Sequence, residues 1–204
     1  MVITLLVAIV LPLVMPSEFS PGRGFAASGV EAILLLAMLV TDPGRIDARS
    51  AKVRAVRIAM IVVLVLGAAW ATGALIHDIL DGGSNTNSAG ELLFAGGLVF
   101  AYIAIAFAFL YWELDSGGPG RRAHVAVAYP DFAFPQHASP ELAPPGWRPV
   151  FLDYLYLGLT NSIAFSPTDV MPLTHWAKLA MAVQSLASLA VLGLVIASAV
   201  NVLG

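Results

Sequence analysis

FLDYLYLGLTNSIAFSPTDVMPLTHWAK, residues 151–178, decides how this chain is read. It opens as an apolar run and then turns polar through Thr160, Asn161, Ser162, Ser166, Thr168 and Asp169, before a full-length apolar helix follows. A hydrophobic stretch of roughly 10–14 residues is too short to cross the hydrocarbon core as a helix, which takes about 20. One fate of such a segment is to enter the bilayer and turn back. The pattern therefore predicts a re-entrant half-helix over 150–166, with a return link before the last span.

The composition fits that setting. Hydrophobic residues make up 59% of the chain and charged residues 11%, with a mean hydropathy of +0.86. Soluble domains carry about a quarter charged residues, so this is an integral membrane protein. There is no cysteine. Disulfides, thiolate catalysis and sulfur-ligated metal sites are thereby excluded.

Hydropathy marks spans over 26–41, 58–76, 94–112 and 179–200, each nearly uncharged and bounded by charged or Gly/Pro-rich residues. A fifth, 2–15, is shorter, contains Pro12 and stops at Pro16. It lacks a basic start and a small-residue cleavage site, so it reads as an uncleaved first span. The expected fold is an all-α membrane protein of about five transmembrane helices, with a re-entrant pore-loop half-helix before the last one. Residues 1–90 form an N-terminal unit of three helices and their links. Residues 91–204 form a second module of outer helix, Pro-rich link, half-helix with its loop, and inner helix.

Charge orients the bundle. Arg45, Arg49, Lys52, Arg54 and Arg57 share one link, and short loops rich in Lys and Arg stay in the cytoplasm. Alternation then puts the acidic link with Asp78, Asp81 and Glu91 outside, and Arg121, Arg122, Arg148 and Lys178 inside. Only Arg23 falls on the outer side. The expectation is a multi-pass protein of the cell membrane with a cytoplasmic N-terminus and an external C-terminus.

The link 115–149 holds Gly117, Gly118, Pro119, Gly120, Pro130, Pro135, Pro140, Pro144, Pro145 and Pro149, which forbid a long helix. It reads as an irregular surface segment capping the bundle, with the rings of 129–135 at headgroup level. Glu113 and Asp115 read as the cytoplasmic end of the fourth span, and Glu31 as reaching the interface near the outer end of the second.

The polar end of the half-helix carries the candidate chemistry. Polar side chains at such depth need water, a partner or an ion. A helix C-terminus bears partial negative charge and favours a cation, and Asp169 adds a carboxylate that, repeated around an axis, would make a cation-selecting ring. The candidate pore or filter residues are Thr160, Asn161, Ser162, Ala164, Phe165, Ser166, Pro167, Thr168 and Asp169. Gln184 and Ser188, one turn apart on the last span, are candidate pore-lining residues, although small polar residues also glue membrane helices together. Local chemistry offers another reading, in which Ser166 caps a helix starting at Pro167 with Asp169 in its first turn, and Pro172 and Thr174 offer a second start. His77, His124, His137 and His175 are dispersed, with no metal spacing and no catalytic pairing, so neither an enzyme nor a cofactor is expected.

The stretch DYLYLGLTNSIAFSPTDVMPLTHWAKL, residues 153–179, resembles the pore domain of the potassium-channel superfamily. Asp169 matches the post-filter Asp of that family, Pro172 the turn proline and Lys178 the basic residue opening the inner helix. The filter departs from it, because Ala164-Phe-Ser-Pro-Thr168 stands where the family has TVGYG. Without those glycines, and with Pro167 fixed near one backbone angle, a ladder of inward carbonyls is hard to build, so potassium selectivity is not implied. The half-helix also enters from the opposite side to a potassium channel, as it does in glutamate-receptor pores. Through YWELDSGGP at 111–119 and PELAPPGWRP at 140–149, the whole chain is also similar to a widespread group of bacterial membrane proteins. That similarity implies a bacterial inner membrane and no particular activity.

Together these readings imply a homo-oligomer, tetrameric by analogy, that conducts monovalent or divalent cations with weak selectivity and has the lipid bilayer, not nucleic acid, as its partner. The competing expectation is a non-conducting scaffold or small transporter subunit that keeps the pore-loop fold.

Overall fold

The computed structural model describes residues 1–20, 28–30, 32–33, 51–82, 88–125, 129–166 and 169–203. The chain is mostly helical. Its helices are α1 (Val2–Val14), α2 (Ala51–Asp81), α3 (Ala89–Leu114), α4 (Pro119–His124), α5 (Pro135–Ala138), α6 (Phe151–Ala164) and α7 (His175–Leu203). Short 3-10 turns at Asp115–Gly117 and Pro140–Leu142 punctuate the link between α3 and α6. A two-residue strand pair, β1 (Phe132–Ala133) antiparallel to β2 (Met171–Pro172), is the one departure from an all-α fold among the described residues.

Three helices are long and apolar enough to cross a membrane, within Arg54–Asp81, Ala89–Gly117 and His175–Leu203. At 1.5 Å per residue, α2, α3 and α7 run about 40–46 Å, more than a hydrocarbon core of about 30 Å. The expected first span is the 13-residue helix α1, which continues through Pro12 and reaches only about 20 Å. The expected second span lies mostly outside the described residues, as do Glu31, Arg23, Arg45 and Arg49; residues 28–30 and 32–33 are helical.

The centre of the fold is α3, which packs against α2, α6 and α7. Small residues allow this. A Cβ at Gly158 of α6 would stand 2.7 Å from the Ala104 carbonyl of α3, so only glycine permits that approach. The apolar face of α6 recurs at helical spacing through Tyr154, Leu157 and Gly158, and Asn161 and Ser162 continue the same buried face. On α7 the buried stripe is Ala177, Met181, Gln184, Ser188, Val191, Val195 and Ala199.

Helix α6 spans 14 residues, about 21 Å, too short to cross the core. It stops at Phe165, which takes the left-handed conformation at φ 53° and closes the last turn by donating from its N–H to the Asn161 carbonyl. Met171 and Pro172 pair with Phe132 and Ala133, and the Leu173 N–H donates to the Asp131 carbonyl at 2.8 Å. The segment that precedes α6 and the one that leaves it are thus tied together. The helix after the loop begins at His175, so Ser166 does not cap it.

Candidate functional site

A polar seam joins α3, α6 and α7. Gln184 is fully buried, and both ends of its amide are engaged. Its Oε1 accepts from the Tyr111 hydroxyl at 2.5 Å and from Asn161 Nδ2 at 2.8 Å. Its Nε2 donates to the Gly158 carbonyl at 2.7 Å and to Ser162 Oγ at 2.8 Å. Asn161 Nδ2 also donates to the Met181 carbonyl at 3.1 Å, and its Oδ1 accepts from Ser185 Oγ at 3.2 Å. Unsatisfied amides are costly in a dry interior, so reciprocal pairing is the stable way to bury them. Ser188, one turn further along α7, is fully buried, and its hydroxyl has no partner among the described residues.

The sequence candidates therefore divide. Asn161, Ser162 and Gln184 come together inside the chain, with Ser188 one turn away. Thr160 instead donates its hydroxyl to the carbonyls of Tyr156 and Leu157 in the turn before it. Ala164, Phe165, Ser166 and Asp169 are exposed. Pro167 and Thr168 lie outside the described residues. Phe165 and Ser166 line an open groove of about 410 Å³ with Pro172, Lys178, Met181 and Ser185. The ammonium-bearing Lys178 thus shares a groove with the electronegative end of α6.

A second polar cluster gathers the ends of three helices, and sequence reasoning missed it. Asp115, almost fully buried, accepts from Tyr154 OH at 2.5 Å, Ser116 Oγ at 2.8 Å and the Asp131 N–H at 3.0 Å. Asp131 in turn accepts from the Ser116 N–H at 2.6 Å and from Trp176 Nε1 at 2.9 Å. Two carboxylates thereby pin the start of α6, through Tyr154, and of α7, through Trp176, to the end of α3. Arg122 closes the cluster: it donates to the carbonyls of Asp115 at 2.5 Å and Trp112 at 2.7 Å, and its guanidinium lies over the Tyr154 ring. The turn that permits this needs Gly118, at φ +96°, where a Cβ would meet the Glu113 carbonyl at 2.9 Å. Glu113 itself is buried against Arg57 of α2, with Nε to Oε2 at 2.8 Å.

At the rim of this cluster His137 accepts the Phe134 N–H at 3.2 Å through Nδ1 and packs edge-on to Trp147. Burial pushes its pKa below the ordinary 6.5, with the Asp115 charge opposing. The described charges segregate along α2: Arg57 stands with Glu113, Arg122 and Arg148 near one end, while His77, Asp78 and Asp81 occupy the other.

Comparison with known protein families, with curated proteins and with solved structures finds no match to this chain.

Proposed function

We propose that this is a pore-loop membrane protein whose homo-oligomer, four-fold by analogy, passes cations with weak selectivity. The observation that carries the reading is the path of the chain around α6. A 14-residue helix stops at Ala164, and its return strand pairs with the segment that precedes it, leaving Ser166 and Asp169 exposed beyond its electronegative end. A re-entrant half-helix entering from the cytoplasmic side follows if the Arg-rich end of α2 faces inward. Copies arranged around an axis would gather Asp169 carboxylates into an acidic ring, the kind that selects cations by field strength and not by a carbonyl ladder.

A specific observation favours a second reading, a non-conducting scaffold or small transporter subunit. Asn161, Ser162 and Gln184 satisfy one another within a single chain, so they hold α6 in place without any need for water or an ion. Ion flux into liposomes at matched protein levels separates the two. The channel reading expects cation flux above anion flux, little discrimination between sodium and potassium, and a fall in cation flux for Asp169→Asn. Absence of wild-type flux across voltage, pH and calcium would overturn it in favour of the scaffold.

A further inference from the structure

Beneath the proline-rich link lies a cleft of about 210 Å³, lined by Asp115, Ser116, Arg122, His137, Trp147 and Arg148 among others. Two guanidiniums border it, and both are anchored. Arg122 is fixed by the carbonyls of Trp112 and Asp115 and by the Tyr154 ring. Arg148 donates through Nη1 to the carbonyls of Arg122, at 2.7 Å, and of Ala123. A guanidinium has five N–H donors, and the Nε and Nη2 donors of Arg148 have no hydrogen-bond partner among the described residues. The one carboxylate in the lining, Asp115, is already engaged by Tyr154, Ser116 and Asp131. Burial holds the His137 pKa below its ordinary value, and the lining sets two guanidiniums against one carboxylate.

We infer that this cleft binds a phosphate-bearing anion, held by the fork of Arg148 with Arg122 behind it. A planar guanidinium matches two phosphate oxygens at once, which a point charge does not. The volume is below the roughly 300–1,000 Å³ of pockets that take whole drug-sized ligands, and suits a headgroup or a free ion. Trp112, Trp147 and Trp176 gather around this end of the bundle, as aromatic side chains do at headgroup level. Basic pockets between membrane helices on the cytoplasmic side take anionic headgroups. A lipid phosphate and inorganic phosphate present the same chemistry. An occupant would brace Pro149 at the start of α6 against the end of α3, and so steady the half-helix.

Thermal unfolding of the full chain in neutral detergent tests this. Dioctanoyl phosphatidylglycerol, dioctanoyl phosphatidylcholine and inorganic phosphate are titrated separately, since a ligand bound to the native state raises the midpoint saturably. An anionic ligand is expected to give a saturable rise that phosphatidylcholine does not. Arg148→Gln should weaken its apparent affinity about tenfold, which corresponds to about 1.4 kcal/mol. Val125→Glu, which sets a carboxylate at the exposed rim of the cleft, should weaken it similarly without touching the Arg148 clamp. Arg121→Gln, on the helix that carries Arg122 but outside the cleft lining, should leave it unchanged. A rise with phosphatidylglycerol alone identifies a lipid site, and an equal rise with inorganic phosphate identifies a free-anion site. If neither anion exceeds phosphatidylcholine, if both cleft variants keep wild-type affinity, or if Arg121→Gln weakens binding as much as Arg148→Gln, the inference is overturned.

Discussion

Replacing Gln184 by Leu tests whether this side chain glues helices or lines a path. The substitution removes four hydrogen bonds, to Tyr111, Asn161, Gly158 and Ser162, while leaving the volume nearly unchanged. Bonds between membrane helices average about 0.6 kcal/mol, so four give about 2.4 kcal/mol. The Tyr111 and Ser162 hydroxyls left bare add desolvation of up to about 1 kcal/mol each, so the expected loss is about 2.4–4.4 kcal/mol. Unfolding by SDS titration in mixed micelles measures it, with Tyr111→Phe and the double variant completing a cycle. The coupling energy should fall between about 0.5 and 1.7 kcal/mol. A Gln184→Leu variant within about 0.5 kcal/mol of wild type, strictly additive with Tyr111→Phe, would refute the seam. Altered ion flux at unaltered stability would return Gln184 to the pore.

Three further outcomes are expected from the same titration. Gly158→Ala brings a Cβ against the Ala104 carbonyl and should cost about 1–3 kcal/mol, whereas Gly97→Ala, with nothing within 4 Å, should not destabilise. Arg57→Met leaves Glu113 buried and uncompensated and should cost about 3–5 kcal/mol, much of which Arg57→Met combined with Glu113→Leu recovers. His137 has a folded pKa below its unfolded value, so the unfolded state takes up more protons in acid; stability is full above about 6.5 and declines as pH falls through the window just below. His137→Asn, which keeps an acceptor for the Phe134 N–H, should flatten that decline, and an unchanged pH profile would contradict it.

The short helix before the last span was legible because its signal is local. An apolar run that Pro149 precedes and polar residues follow is short on any scale, and 150–166 became Phe151–Ala164. The start of the last helix was legible only as one of two alternatives. Ser166-Pro-Thr-Asp169 has good capping chemistry, yet Met171 and Pro172 just beyond it pair with a segment nearly forty positions earlier, and the helix starts at His175, directly after the second candidate start at Pro172 and Thr174. Asn161 and Gln184 stood out as polar residues in apolar helices, but only packing reveals that they answer each other. Asp115 and Asp131 look like solvated ends beside glycine and proline. The burial of Asp115 and the half-burial of Asp131 depend on a chain reversal across the link that no periodicity encodes, so the cluster around Arg122 was not foreseen. The phrase YWELDSGGP held the only hint, two carboxylates following directly on an apolar span.

The central claim is that α6 enters and returns on one face of the membrane while α7 crosses. Because the chain has no cysteine, single cysteines at Gly146, Met171 and Leu203 can be labelled with an impermeant maleimide in right-side-out and inverted vesicles without background. The account predicts that positions 146 and 171 react from the same side, the cytoplasmic one, and position 203 from the other. Reaction of 146 and 171 from opposite sides would mean that α6 crosses, and would contradict the pore-loop architecture.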